Sequence, residues 1–179
     1  MVDDLAMAPR PALASTSSSA SPSASASGPD FGILLLLAAR AFADDLHVRL
    51  AAEGFPSMRA GFGFMFRAIQ DGEPTPSELA VRLGVSKQAV GKVLDEMEQR
   101  GFVERRPDPQ DRRARRVRLT EHGRAASQTA IRLGGEIEAD LQGRVGPDQI
   151  AALRSALVTY VEAQGGAEDA AARRARPTW

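Results

Sequence analysis

The stretch from Thr75 to Gly123, TPSELAVRLGVSKQAVGKVLDEMEQRGFVERRPDPQDRRARRVRLTEHG, decides how this chain folds. It opens on a helix start. Thr75 can cap, Pro76 suits the first helical position, and Glu78 stands where a capping box needs it. Leu79, Ala80 and Leu83 give that helix an inner face, and Gly84 ends it. Ser86 can cap the next helix, so the turn between the two is only LGVS. Val90, Val93, Leu94 and Met97 then recur at the spacing of a buried stripe. Gly101 follows Arg100 and can take the left-handed conformation that closes a helix. Phe102 to Arg106 reads as a short strand and Pro107-Asp108-Pro109 as a turn. In ARRVRLT, Val117 and Leu119 alternate inward with Arg116 and Arg118 outward, as on a half-buried strand. A helix, a tight turn, a second helix and a basic hairpin make a winged helix-turn-helix.

The flanks are helical. Phe31 to Glu53 is apolar-rich with polar residues at helical spacing and stops at Gly54 and Pro56; Met58 to Gln70 is a second helix, ended by Asp71-Gly72. After the hairpin, Thr120 can cap a long helix carrying Ala126, Ala130, Leu133, Ile137 and Leu141. Gly146-Pro147 opens a last one with Ile150, Leu153, Leu157 and Val161. Residues 1–30 are Ala, Ser, Pro and Gly, too poor in apolar surface to offset the entropy of ordering, so a disordered tail is expected there and a flexible one at 165–179. The expected class is mainly α with a small β-hairpin wing. Helical regions at 31–57 and 120–164 are expected to flank a winged helix-turn-helix at 58–119.

Composition narrows the function classes. Lys+Arg and Asp+Glu are both 23, so any basic surface is local. There is no cysteine, which excludes disulfides, thiol redox sensing and Cys-ligated zinc. The longest strongly apolar run, Ile33 to Ala39, is far below the ~18 residues of a membrane span. Asp3 and Asp4, with no apolar core after them, do not read as a secretory signal, and a soluble cytoplasmic protein is expected. No nucleophile–base pair, phosphate-cradling glycine loop or paired catalytic carboxylates stand out, so neither an enzyme nor a cofactor is expected. His47 and His122 are the only histidines and sit on separate helices, which argues against a metal site.

The Thr75–Gly123 stretch resembles the MarR family of bacterial transcription regulators. The resemblance rests jointly on SELA…LGVS, LDEMEQRGFVERR, the wing tip Asp111-Arg112-Arg113 and the exit RLTEHG, and it extends over about residues 31 to 164. It implies a homodimer held by the first and last two helices, usually a repressor, on double-stranded DNA. A recognition helix would enter the major groove and a wing the minor groove. It also implies, in many members, a small and often aromatic anionic effector bound between the dimerisation and DNA-binding parts.

From Glu104 to Arg118 seven arginines face three carboxylates, a local excess of four positive charges. Like charges on a tight hairpin repel, and phosphate oxygens are their natural partner. Arg113 is the expected minor-groove residue, with Asp111 by resemblance aiming its guanidinium. Arg112, Arg115 and Arg116 are expected phosphate contacts, while Arg105, Arg106 and Arg118 suit either phosphate contact or wing structure. A winged-helix module serving only protein–protein assembly has no need of so much charge there. On the recognition helix, Ser86, Lys87, Gln88, Gly91 and Lys92 lie off the apolar stripe; Gln88 can pair with adenine, and Lys87 or Lys92 can reach guanine or phosphate. A mid-helix glycine costs about 1 kcal/mol relative to alanine. At Gly91 either a close approach to DNA or packing against a neighbouring helix would account for it. For an effector, the candidates are His47, Arg49, Arg59, Phe62, Met65 and Phe66, although aromatic residues at helical spacing also serve as core.

Overall fold

The computed structural model describes residues 30–166 apart from Asp71 and Arg112. The tails expected at 1–30 and 165–179 therefore lie almost wholly outside the described residues, as do the expected contact Arg112 and one of the two residues expected to end the second helix, Asp71. The order is α1 Phe31–Ala52, α2 Ala60–Gln70, α3 Pro76–Leu83, α4 Lys87–Gln99, β1 Val103–Pro107, β2 Arg115–Leu119, α5 Glu121–Val145 and α6 Pro147–Val161, with a π-helical turn at Glu162–Gly166.

Local side-chain chemistry sets the helix ends. Asp30 belongs to α1 rather than to the tail, because its carboxylate accepts the Gly32 and Ile33 amides. Thr75 Oγ1 accepts the Glu78 amide at 3.2 Å, and the Glu78 carboxylate accepts the Thr75 amide at 2.6 Å. That second bond is the main reason the Glu78 carboxyl titrates below its ordinary value. Gly84 and Gly101 take positive φ of 65° and 75° where helices α3 and α4 stop. Ser86 Oγ accepts the Ala89 amide at 3.1 Å, and Thr120 Oγ1 the Gly123 amide at 3.0 Å. Helix α2 begins at Ala60, two residues later than the apolar pattern suggests, because Met58 closes a turn onto the Phe55 carbonyl instead.

One core holds the winged helix together. It gathers Phe62, Met65, Phe66 and Ile69 of α2, Leu79 and Leu83 of α3, Val90, Leu94 and Met97 of α4, Val103, Val117 and Leu119 of the hairpin, and Phe102 and Ala126. Fully burying each large side chain here contributes about 1.5–3 kcal/mol. Phe102 is central: its ring meets Phe62 and Phe66 edge-on, both at 5.8 Å, and stacks flat on His122 at 4.9 Å. The hairpin is antiparallel, pairing Val103 with Leu119 and Pro107 with Arg115. The Val117 amide donates to the Pro74 carbonyl at 2.9 Å, tying the wing to the connection between α2 and α3.

The outer helices are buried far less. On α5 the stripe sinks at one end only: Ala126 and Leu133 are buried, Ala130 and Ile137 half-buried, and Leu141 exposed. Helix α1 packs on α5, with ion pairs from its Arg49 to Asp140 at 2.7 Å and from Glu53, the residue that follows it, to Arg132 at 2.8 Å. Among its residues only Leu50 is buried, while Phe31 is 64% and Leu36 73% exposed. Helix α6 buries no residue. Among the described residues no helix is long and apolar enough to cross a membrane.

Candidate nucleic-acid interface

Two exposed features lie side by side on the winged helix. The first is the solvent face of α4. Its buried stripe, Val90, Leu94 and Met97, points into the core, so Lys87, Gln88, Lys92 and Asp95 are exposed on the opposite side with half-exposed Gly91 among them. Ser86 caps the helix start and leaves its hydroxyl proton free to donate outward. Positive helix-end potential and two lysines therefore coincide there.

The second is the wing, where the structure sorts the arginines into two groups. Arg105 Nη1 donates to Glu98 at 2.7 Å and Nη2 to Asp95 at 2.6 Å, clamping β1 onto α4. Arg118 pairs with Glu104, and Arg106 lies 3.4 Å from the same carboxylate. The bond from Arg118 is the chief cause of the lowered Glu104 pKa. Arg116, expected to be a phosphate contact, is engaged inside the protein: Nε donates to Asp108 at 2.7 Å and Nη1 to the Glu73 carbonyl at 3.1 Å. Asp108 is nearly buried, and its carboxyl sits below the ordinary range because the Gln110 amide and then Arg116 bond its charged form.

At the tip, the Asp111 carboxylate accepts the Arg113 backbone amide at 2.9 Å, and the Ala114 amide closes onto the Asp111 carbonyl at 2.9 Å. Asp111 thus shapes the turn carrying Arg113 rather than gripping its guanidinium, because two-residue spacing puts the amide within reach of the short side chain. Arg113 and Arg115 are exposed and, among the described residues, face no carboxylate within ion-pair distance. Internal pairing at the base and free guanidinium groups at the tip concentrate the charge where the wing projects furthest. These pairings were not legible beforehand, although Asp95 and Glu98 on one turn of α4 are the carboxylate pattern that a nearby arginine answers.

The residues expected to hold an effector do not converge. Phe62, Met65 and Phe66 are core side chains, at most 2% exposed. Arg49 bonds Asp45 and Asp140, which raise its pKa further, and Arg59 bonds Glu96 at 2.8 Å. His47 is half-buried on α1. A cavity of about 310 Å³ opens elsewhere, between the end of α2, the base of β2 and the first turns of α5, lined by Ile69, Glu73, Arg118, Leu119, Arg124 and Gln128 among others. Among the described residues no cluster of three or more His, Asp or Glu could hold a metal ion.

Residues 65–114 match the sequence profile of the MarR family. The transcriptional repressor MprA of Escherichia coli (strain K12) is 46% identical over 48 residues, 27% of this chain and 27% of MprA. Across the first curated relatives it matches, the chain spans between 27% and 64% of their length. The crystal structure of the reduced form of MarR from E. coli is similar with a TM-score of 0.62 and 27% identity, covering 74% of this chain and 96% of that one. The transcriptional repressor CouR, solved bound to a 23-mer DNA duplex, is similar with a TM-score of 0.60 and 26% identity, covering 74% of this chain and 92% of CouR.

Proposed function

We propose, from its similarity to the MarR family over residues 65–114 and from its winged-helix fold, that the chain is a cytoplasmic, sequence-specific DNA-binding regulator of that family, a repressor acting as a homodimer. The observation that carries this is the division of the wing's arginines into a neutralised base and a cationic tip, Arg113 and Arg115, next to the exposed Lys87, Gln88 and Lys92 of α4. CouR, a similar structure, is itself bound to duplex DNA. In this reading α4 reads base edges, Arg113 enters a minor groove and Arg115 holds phosphate, with Arg112 assigned there from its place in the sequence. Arg105 and Arg116 hold the wing in position. A homodimer would address half-sites about 10 bp apart.

A duplex selected from random sequence tests this. If the dimer neutralises roughly 6 to 8 phosphates, the logarithm of affinity should fall against that of salt with a slope of about −5 to −7. Arg115→Ala is expected to reduce that slope by about one and weaken all duplexes alike. Arg105→Ala should instead leave the slope unchanged while lowering the ratio of selected to random binding, because it frees the wing without removing a phosphate contact. Equal slope losses in the two variants would refute the division of roles.

The proposal extends to an effector in the cavity beside β2. Arg118 is paired with Glu104, but Arg124, bonded to the Leu119 carbonyl and among the described residues in no ion pair, gives its wall a cation suited to a small anionic ligand. Glu73 also supplies the carbonyl that Arg116 grips, so an occupant touches the wing's own anchor. Aromatic carboxylates screened by thermal shift should stabilise the protein, and Arg124→Ala should abolish the shift. A shift that survives Arg124→Ala would place the ligand elsewhere.

A further inference from the structure

Gly91 sits at the centre of the exposed face of α4, one turn after Gln88 and one before Asp95, with Lys92 beside it. A glycine inside a helix is destabilising relative to alanine, so its presence asks for a compensating contact or a special backbone conformation. The protomer offers neither. Beyond its chain neighbours and the adjoining backbone of its own helix, a Cβ at Gly91 meets no heavy atom within 4 Å, and Gly91 is not among the positive-φ glycines. Packing against a neighbouring helix, one of the two explanations open from the sequence, is therefore removed. Helix glycines Gly63, Gly135 and Gly143 also have open space beside them, but they lie on α2 and α5, away from the face that carries Lys87, Gln88 and Lys92.

What fits against Gly91 must then come from outside the protomer, and its chemistry is constrained. The neighbours Gln88 and Lys92 can hydrogen-bond a base edge. Gly91 cannot, since it has no side chain and its backbone groups belong to the helix. Only shape and apolar contact remain, and the apolar group that a base pair displays in the major groove is the C5-methyl of thymine. Resting on the DNA-binding reading, we propose that Gly91 is a specificity-determining residue whose missing Cβ leaves a methyl-sized notch for one thymine methyl in each half-site.

The test is a size exchange on the full-length protein with its selected duplex. Gly91→Ala should raise the melting temperature of the free protein by about 2–4 °C and weaken binding to the selected duplex by about tenfold. Thymines in each half-site are then replaced one at a time by deoxyuridine, which removes only the methyl. At one position the wild type should lose affinity and Gly91→Ala should recover it, the added methyl filling the space of the deleted one. Gly91→Ala binding the selected duplex as tightly as wild type would overturn the proposal. So would a lowered melting temperature, or the absence of any position at which deoxyuridine restores binding. If the wild type selects no duplex at all, it is the DNA-binding reading that fails.

Discussion

Gly123→Ala is expected to destabilise the protein by about 3 kcal/mol, a fall in melting temperature of about 6–12 °C. A Cβ at this position would stand 1.9 Å from the Phe102 carbonyl oxygen and 2.8 Å from its carbon. That oxygen is backbone and cannot rotate away. It already accepts the Thr120 amide at 3.0 Å, the bond that joins the wing to α5. To admit a methyl group, the first turn of α5 must lift, which also parts the stacked rings of Phe102 and His122. Gly135→Ala is the matched control: it lies on the same helix with nothing within 4 Å, and there the helix gains by up to about 1 kcal/mol. Both are measured by thermal and urea denaturation at one protomer concentration, since dimerisation would make stability concentration-dependent. Equal midpoints for Gly123→Ala and wild type would mean that the close approach of α5 to Phe102 is not a constraint.

Leu37→Glu is expected to convert the protein to a monomer in light scattering and to weaken binding to its selected duplex by more than about 100-fold. Helix α1 exposes Phe31, Ile33, Leu34, Leu36 and Leu37, and α6 exposes Leu153, Val158, Tyr160 and Val161. Apolar residues left exposed in such number on each of two helices mark an interaction site, and an unpaired carboxylate placed among them is strongly unfavourable on burial. In the proposed dimer one protomer would read only a half-site, and specific binding typically exceeds non-specific binding by 10³ or more. Leu37 is no part of the buried cluster around Phe102, so the winged helix should keep its far-UV circular dichroism. A Leu37→Glu protein that stays dimeric and binds normally would move the dimer interface off α1.

The elements were legible because the forces that start and stop a helix act within a few residues. The Thr75–Glu78 capping box, the caps at Ser86 and Thr120, the stop at Gly84 and the left-handed glycine at 101 all stand where the sequence predicts them. Apolar spacing likewise predicts the inward faces, down to Val117 and Leu119 on β2. The same spacing could not separate core from ligand pocket, and Phe62, Met65 and Phe66 turn out to be core.

Taken alone, then, the sequence determined the helix-turn-helix, the hairpin and the basic character of the wing, through hydrogen bonds and periodicities that close over one to four residues. Only the tertiary structure decided which arginines are available. An arginine reaches whatever carboxylate or carbonyl the fold brings within about 3 Å. The partners of Arg105 are 7 and 10 residues away in sequence, and one partner of Arg116 is 43 residues away. Gly123 follows the same logic. Its need for glycine comes from the Phe102 carbonyl, which the chain's return through the hairpin sets against the first turn of α5.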